Sequence, residues 1–351
     1  MSTQHETRDA DARAIDALRK ELGDEVVLLG HHYQHQDIVD HCDFLGDSLE
    51  LSRKAANVAA RHIVFCGVYF MAESAALLAR ADQAVHLPEP DADCVMALMT
   101  PAVLLDHILT RLTSTGRRLI PLAYVNTFMD VKAVVGRHGG AVCTSANAEQ
   151  MLRWALKEGD GVLFLPDKNL GQNTARTLGL ADTDIHLLDI RKRGEALDLA
   201  AANKASLLCW PGLCAIHARF TADQVNAARA ADPSCRIVVH PECSPEVAQA
   251  ADAAGSTSFI IDFVRSAPAG AHIVIGTEGN LVRRLERQYA DRVKIDPLLF
   301  STCSHMAKVT PAKLRNTLEQ IRKGTAAPVS VPELDAAPAR ATLERMLEVC
   351  A

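Results

Sequence analysis

Three times along this 351-residue chain, an apolar strand-forming run ends in two polar side chains one residue apart. EVVLLG leads into His31-x-Tyr33, RLIPLAYVN ends at Tyr124-x-Asn126, and RIVV leads into His240-x-Glu242. Each round then reaches a hydroxyl where a helical pattern begins: Ser48, Ser145, and Ser256 with Thr257. Each closes on a cysteine in a polar or Gly/Pro-containing loop, Cys94, Cys214 or Cys303. His31 to Ser48 is 17 residues, as is His240 to Thr257; Ser48 to Cys94 is 46, as is Thr257 to Cys303. In the middle round the intervals stretch to 21 and 69, through an insertion carrying IHLLD and an extra helical segment. Repetition at fixed spacing marks homologous structural units, and strands alternating with helices over this length specify α/β units with parallel sheets.

The expected fold is therefore three homologous α/β/α domains with parallel sheets, related by a pseudo-threefold axis. The boundaries fall at 1–94, 95–214 (with the insertion) and 215–303, and the helices of 304–351 are expected to cover the first domain. Residues 1–10 read as disordered and Asp11–Leu22 as a short amphipathic helix with Ile15, Leu18 and Leu22 on one face. Asp167–Thr174 reads as a Gly/Asn loop. FIIDFVRSA is taken as a helix, although its apolar run also suits a strand. Pro311–Lys323 is a helix capped by Thr310 with proline in its first turn, and a last helix runs from Ala339 to Val349.

Charge and composition narrow the function. With 4% aromatic residues, a net charge of −6 and no long basic run, a nucleic-acid partner is not expected. MSTQHETRDADARAI lacks the apolar core of a signal peptide, and no apolar run nears the roughly 18 residues that span a bilayer. The expectation is a cytoplasmic protein with no membrane contact. Its 10 cysteines include no C-x-x-C pair, which excludes zinc ribbons and thioredoxin-type redox pairs. Cys66, Cys143 and Cys209 lie in apolar strand contexts and read as small buried hydrophobes.

If the strand ends of the three units point inward, three thiols, three helix N-termini and three polar pairs share one cavity. Helix N-termini suit small carboxylates or phosphate. The glycine loops GVLFLPDKNLGQN and GTEGNLV lack G-x-G-x-x-G and a Walker lysine, so a dinucleotide is not expected. Two readings of Cys94, Cys214 and Cys303 stand at this point: inert loop cysteines, or three ligands of an iron–sulfur cluster with one open iron. Cys243, beside Glu242, has no counterpart in the other two rounds and is set aside as a ligand. Cys303 follows His240 by the same 63 residues by which Cys94 follows His31.

HHYQ, GDSLELS, VFCGVYFMAES, DADCVMA, YVNT, CTSANA, LPDKNLG, WPGLCAIH, HPEC, GSTS, GTEGNL and CSHMA occur in that order over most of the chain. Together they resemble the quinolinate synthase family. The resemblance implies three α/β domains around a central [4Fe–4S] cluster held by Cys94, Cys214 and Cys303. It implies a transferase of NAD biosynthesis that condenses iminoaspartate with dihydroxyacetone phosphate to quinolinate, losing phosphate and two waters. An enzyme producing iminoaspartate is the implied functional neighbour. The family's pocket carries over onto His31, Tyr33, Tyr124, Asn126, His240 and Glu242, with Ser48, Ser145, Ser256 and Thr257 as substrate-binding residues. Glu242 and Tyr33 are expected to move protons, His31 and His240 to bind carboxylate or carbonyl oxygen, and Tyr124 with Asn126 to orient substrate. One departure concerns the last ligand: some members carry C-x-x-C-x-x-C there, whereas Cys303 stands alone in FSTCSHMAK, which removes the basis for thiol–disulfide control at that point.

Three rivals remain at this level. A hydro-lyase acting on a hydroxy-dicarboxylate would share the cluster but need no dihydroxyacetone phosphate. A cluster-based sensor would have no use for His31, Tyr33 and Glu242 in one cavity. An aldolase with His240 and Glu242 on a single metal ion would survive loss of the three cysteines.

Overall fold

The computed structural model describes residues 2–351, with side chains from Arg8 onward; Met1 lies outside the described residues. It holds three parallel sheets of four, five and four strands. The first contains β1 (Val26–His31), β2 (Phe44–Gly46), β3 (His62–Cys66) and β4 (Ala84–His86) in the order β2-β1-β3-β4. The second contains β5 (Leu119–Tyr124), β6 (Ala141–Cys143), β7 (Gly161–Leu165), β8 (Ile185–Leu187) and β9 (Leu207–Cys209), ordered β6-β5-β7-β9-β8. The third contains β10 (Arg236–Val239), β11 (Ala253–Ala254), β12 (His272–Gly276) and β13 (Lys294–Pro297), ordered β11-β10-β12-β13. All three sheets share one winding, in which the second strand flanks the first on one side and the third flanks it on the other. The inserted β8 is added at the edge of the middle sheet and leaves that winding intact. β1 and β5 are buried along their whole length, as strands covered by helices on both faces must be.

The shared order places the chemistry. The connection direction reverses beside the first strand of each unit, and ligands gather at such a switch point, beyond the carboxyl ends of the strands. His31 and Tyr124 are the last residues of β1 and β5, and His240 directly follows β10. The serines and threonine follow the second strand of each unit, and the cysteines follow the strand in the fourth position.

The chain divides into two compact units, 1–94 with 302–332, and 95–301 with 333–351. The first holds one sheet and the second holds two. In unit 1 the N-terminal helix spans Ser2–Leu22, so the expected disorder at residues 1–10 is corrected over the described part. Its Ile15 and Leu18 are buried, as are Leu314 and Leu318 of Pro311–Arg322, the helix packed against it. Arg315 Nη1 donates to Asp11 across that contact at 2.6 Å. The final helix, Glu333–Val349, lies instead in unit 2 against Met129–Arg137. This corrects the expectation that all of 304–351 covers the first domain. The helix also begins six residues earlier than expected and runs through Pro338. Its close approach depends on Gly136, where a Cβ would meet the Pro338 carbonyl oxygen.

Other differences are local. Lys168–Thr177 is a helix capped by Asp167, not a Gly/Asn loop. FIIDFVRSA is helical, over Thr257–Arg265. Among the described residues, no helix is long and apolar enough to cross a membrane.

Candidate functional site

The polar pairs that end the first strands have a common local build in two of the three sheets. In unit 1, His31 is buried and its Nδ1 accepts the Tyr33 backbone N–H at 3.1 Å. The Tyr33 ring meets the imidazole edge-on, centroids 4.7 Å apart. In unit 2, His240 Nδ1 accepts the Glu242 N–H at 3.4 Å. A ring nitrogen that accepts leaves the proton of a neutral imidazole on the other nitrogen, so His31 and His240 each carry the donor on Nε2. The x residue between the pair lets the chain turn back on the histidine.

Glu242 is the hub of unit 2. Its Oε2 lies 2.7 Å from His217 Nδ1, and the other ring nitrogen, Nε2, lies 3.1 Å from Thr277 Oγ1. His217 stacks on His240, centroids 4.4 Å apart and planes 15° from parallel. Burial works against charge on Glu242. The His217 imidazole and its hydrogen bond, with a further one from Tyr124, outweigh burial and hold the carboxyl below its usual range. An ionised carboxylate can only accept, so His217 donates Nδ1–H to it. Burial, followed by the neighbouring His217, pushes His240 down to about 3. A charged acid and a neutral base thus stand two residues apart with no water-exposed face between them.

Cys214 joins this cluster: its sulfur, a ring nitrogen of His217 and a carboxylate oxygen of Glu242 all lie within 4.8 Å of one another. The backbone of Cys214 is held by Asp167, which receives its N–H on Oδ2 at 3.1 Å and the Leu170 N–H on Oδ1 at 2.8 Å. Burial and the Glu242 charge push the Asp167 carboxyl up, against these donors. The asparagines of the same helix clamp the loop that carries Glu242. Asn169 Nδ2 donates to the Glu242 carbonyl at 3.1 Å, and Asn173 Nδ2 to those of Pro241 and Cys243 at 2.8 and 2.9 Å. Cys243 is buried, and burial and then Glu242 push its thiol up, away from thiolate character.

The three proposed ligand cysteines share a local setting. Cys94 directly precedes the one-turn helix Val95–Leu98. The Cys214 and Cys303 carbonyls each accept an N–H four residues on, from Ala218 and Ala307, at the start of a 3₁₀ turn. All three are half-buried, as are Cys42 and Cys350, whereas Cys66, Cys143, Cys209, Cys235 and Cys243 are buried, and no disulfide joins any of the ten. Cys94 and Cys303 belong to unit 1 and Cys214 to unit 2.

The remaining site residues divide. Tyr124 is buried and hydrogen-bonded to Glu242, and Asn126 follows with a buried Oδ1 that has no hydrogen-bond partner among the described residues. Ser145 lines a cavity of about 530 Å³ together with Asn173, Pro241 and Gly255, next to Ser256 and Thr257. The hydroxyl-capped helix holds only in the third unit, where Ser256 accepts the Phe259 N–H at 3.2 Å and Thr257 is the first helical residue. Ser48 is the first residue of a helix whose cap is Asp47, with Glu50 completing a capping box. Ser145 stands three residues before Ala148, where its helix begins. Asp47, as good a cap as serine, takes the Leu49 and Glu50 N–H groups one residue ahead of Ser48, and in CTSANA the Thr144 N–H donates to Asn147 Oδ1 at 2.7 Å. Thr277, Asp167, Asn169 and Asn173 escaped the sequence reading. The signal for the two asparagines was their i, i+4 spacing, which puts both on one helix face.

Residues 13–348 match the family described as "NadA: Quinolinate synthetase A protein". The chain is 43% identical to quinolinate synthase of Corynebacterium glutamicum over 99% of its own length and 89% of that protein. It is 43% identical to quinolinate synthase of Streptomyces coelicolor over 97% and 88%, and 41% to that of Halobacterium salinarum over 98% and 92%. A likeness running through nearly every element, on a threefold-repeated fold with its polar residues gathered at the strand ends, leaves one conclusion: this chain belongs to the quinolinate synthase A family.

Proposed function

We propose that the chain, as a quinolinate synthase of NAD biosynthesis, condenses iminoaspartate with dihydroxyacetone phosphate to form quinolinate, releasing phosphate and two waters. This is a transferase reaction. Cys94, Cys214 and Cys303 are its cluster ligands, holding a [4Fe–4S] cluster with one open iron. The bound cluster supplies a Lewis acid that polarises a substrate oxygen. The same proposal takes 1–94, 95–214 and 215–303 as three homologous domains, and puts the chain in the cytoplasm, where such thiolates stay reduced.

The observation that carries this reading is the buried group around Glu242. Imine formation, enediol isomerisation and dehydration all need protons moved at a shielded site. Glu242, ionised and receiving hydrogen bonds from His217 and Tyr124, is the base that takes a substrate proton; Tyr33 is the second proton carrier. His240 and His31, each with Nδ1 occupied by a backbone N–H, turn Nε2–H donors on carboxylate or carbonyl oxygen. Tyr124 and Asn126 orient the substrate carbon skeleton. Ser48, Ser145, Ser256 and Thr257 receive its anionic groups.

Replacing Glu242 by Gln tests the assignment. The substitution keeps the shape of the side chain and removes the base. Quinolinate formation, assayed with iminoaspartate generated in situ, is expected to fall about a hundredfold or more, with the iron–sulfur absorption unchanged. Activity within a few-fold of wild type would overturn the role given to Glu242.

A further inference from the structure

Lys132 is one of the largest fully buried side chains in unit 2, with 0% exposure. Lysine is almost never buried completely unless its donors are taken up. Here they are taken up by the loop that joins β5 to the helix Met129–Arg137: Nζ donates to the Val125 carbonyl at 2.9 Å and to the Thr127 carbonyl. Those two carbonyls bracket Asn126.

The rest of the loop is bonded as well. Val125 N–H donates to the Cys143 carbonyl at 2.8 Å, Thr127 N–H to the Val125 carbonyl at 2.8 Å, and Thr127 Oγ1 to the Tyr124 carbonyl at 3.3 Å. The helix that follows has Phe128 at its cap position and no side-chain cap. Lys132, one turn inside the helix, reaches back to the carbonyls of the preceding loop; as a donor only, it ties that loop down without capping the helix. Within this fully tied segment, the Asn126 side chain alone keeps a buried acceptor without a partner among the described residues.

We propose that Lys132 is a positioning residue for the reaction: by holding the carbonyls on both sides of Asn126, it fixes where that side chain meets the substrate. The proposal rests on the reading of Asn126 as a substrate-binding residue. A lysine that merely filled space would be served as well by methionine, which matches its unbranched stem as far as Cε and carries no charge to desolvate. Nζ matters because it pins two peptide units at once, and a shift of about 1 Å at a positioning group is worth on the order of a hundredfold in rate.

The test is a double-mutant cycle between Lys132→Met and Asn126→Ala in the cluster-loaded enzyme, reading kcat, KM for each substrate, Tm, and calorimetric binding of malate as a stable dicarboxylate probe. Lys132→Met alone should lower kcat/KM roughly tenfold to a hundredfold and weaken malate. In the Asn126→Ala background, the same substitution should cost less than about twofold, because the group it positions is gone. Fully multiplicative losses, or a lowered Tm with kcat/KM within about twofold of wild type, would overturn the proposal. If Lys132→Met does not fold, Lys132→Gln, which keeps a donor but shortens the reach, takes its place in the same cycle. Should Asn126→Ala leave KM and malate binding unchanged, the substrate role of Asn126 falls and the proposal falls with it. Impairment at Asn126 without coupling to Lys132 defeats the proposal alone.

Discussion

Around Glu242, single side chains hold their protonation states by contact. His240 sits against His217 with its ring buried, and burial drives it down to about 3. Glu242, equally buried, is also held below its usual range, because the His217 and His240 imidazoles and the hydrogen bonds from His217 and Tyr124 outweigh burial. Neutral histidine has a consequence for stability. A base whose folded pKa lies below its unfolded value of about 6.5 binds fewer protons folded than unfolded in the interval between. Its contribution is therefore complete above about pH 6.5 and is lost as pH falls toward 3. Wild type should lose stability relative to His240→Asn by about 1.4 kcal/mol per pH unit over that interval. Urea unfolding of both proteins at several pH values between neutrality and about 4.5 checks this; parallel stability curves would show that His240 is not held neutral. His240 and Glu242 were legible in the sequence because a strand run stops at them and the pattern recurs. Thr277, Asp167 and Lys132 were not, since a threonine, an aspartate before a helix and a lysine in an amphipathic stretch acquire meaning only through the burial that tertiary structure imposes.

At the scale of elements, the strands that the sequence announced are those with continuous apolar runs, such as Val26–His31 and Leu119–Tyr124. Phe44–Gly46 and Ala253–Ala254 passed unseen, because two or three residues cannot display a period. They complete the winding that creates each switch point, so the sheet order emerges only in three dimensions. The last helix was cut short in the sequence reading at Pro338, the usual breaker. In the fold it continues through that proline because the carbonyl left without a donor is that of Leu334, an exposed residue. What holds this helix is its packing on Met129–Arg137, where Gly136 leaves room for the Pro338 backbone. Gly136→Ala should lower stability by about 1–3 kcal/mol, measured by chemical unfolding, and should make the C-terminal segment sensitive to limited proteolysis. A variant as stable as wild type, with an equally protected C-terminus, would mean that the approach at Gly136 has slack.

For the whole molecule, repetition was the strongest signal. Equal spacings in the first and third rounds announced repeated α/β units with parallel sheets, and the stretched middle round announced the inserted strand β8. What spacing could not convey was how the units are built up, because the last helix leaves the first unit for the second, and the second takes in two sheets. Nor could it show that the helix after Ser145 begins only at Ala148. The cysteines fared differently. Cys94 and Cys303 recur at equal spacing and Cys214 at a stretched one, and each follows the strand in the fourth position of its sheet, with Cys94 directly before a one-turn helix and Cys214 and Cys303 three residues before a 3₁₀ turn. Because the proposed ligands are divided between the two units, no single unit carries the full set. The most direct measurement is iron and acid-labile sulfide per chain after anaerobic purification, for wild type and for Cys94→Ser, Cys214→Ser and Cys303→Ser, with Cys350→Ser as a control. Roughly four iron and four sulfide per chain in wild type and control, with the cluster lost in each of the three ligand variants, is the predicted result. A zinc-only protein, or a full iron–sulfur complement in any of those three variants, would contradict it.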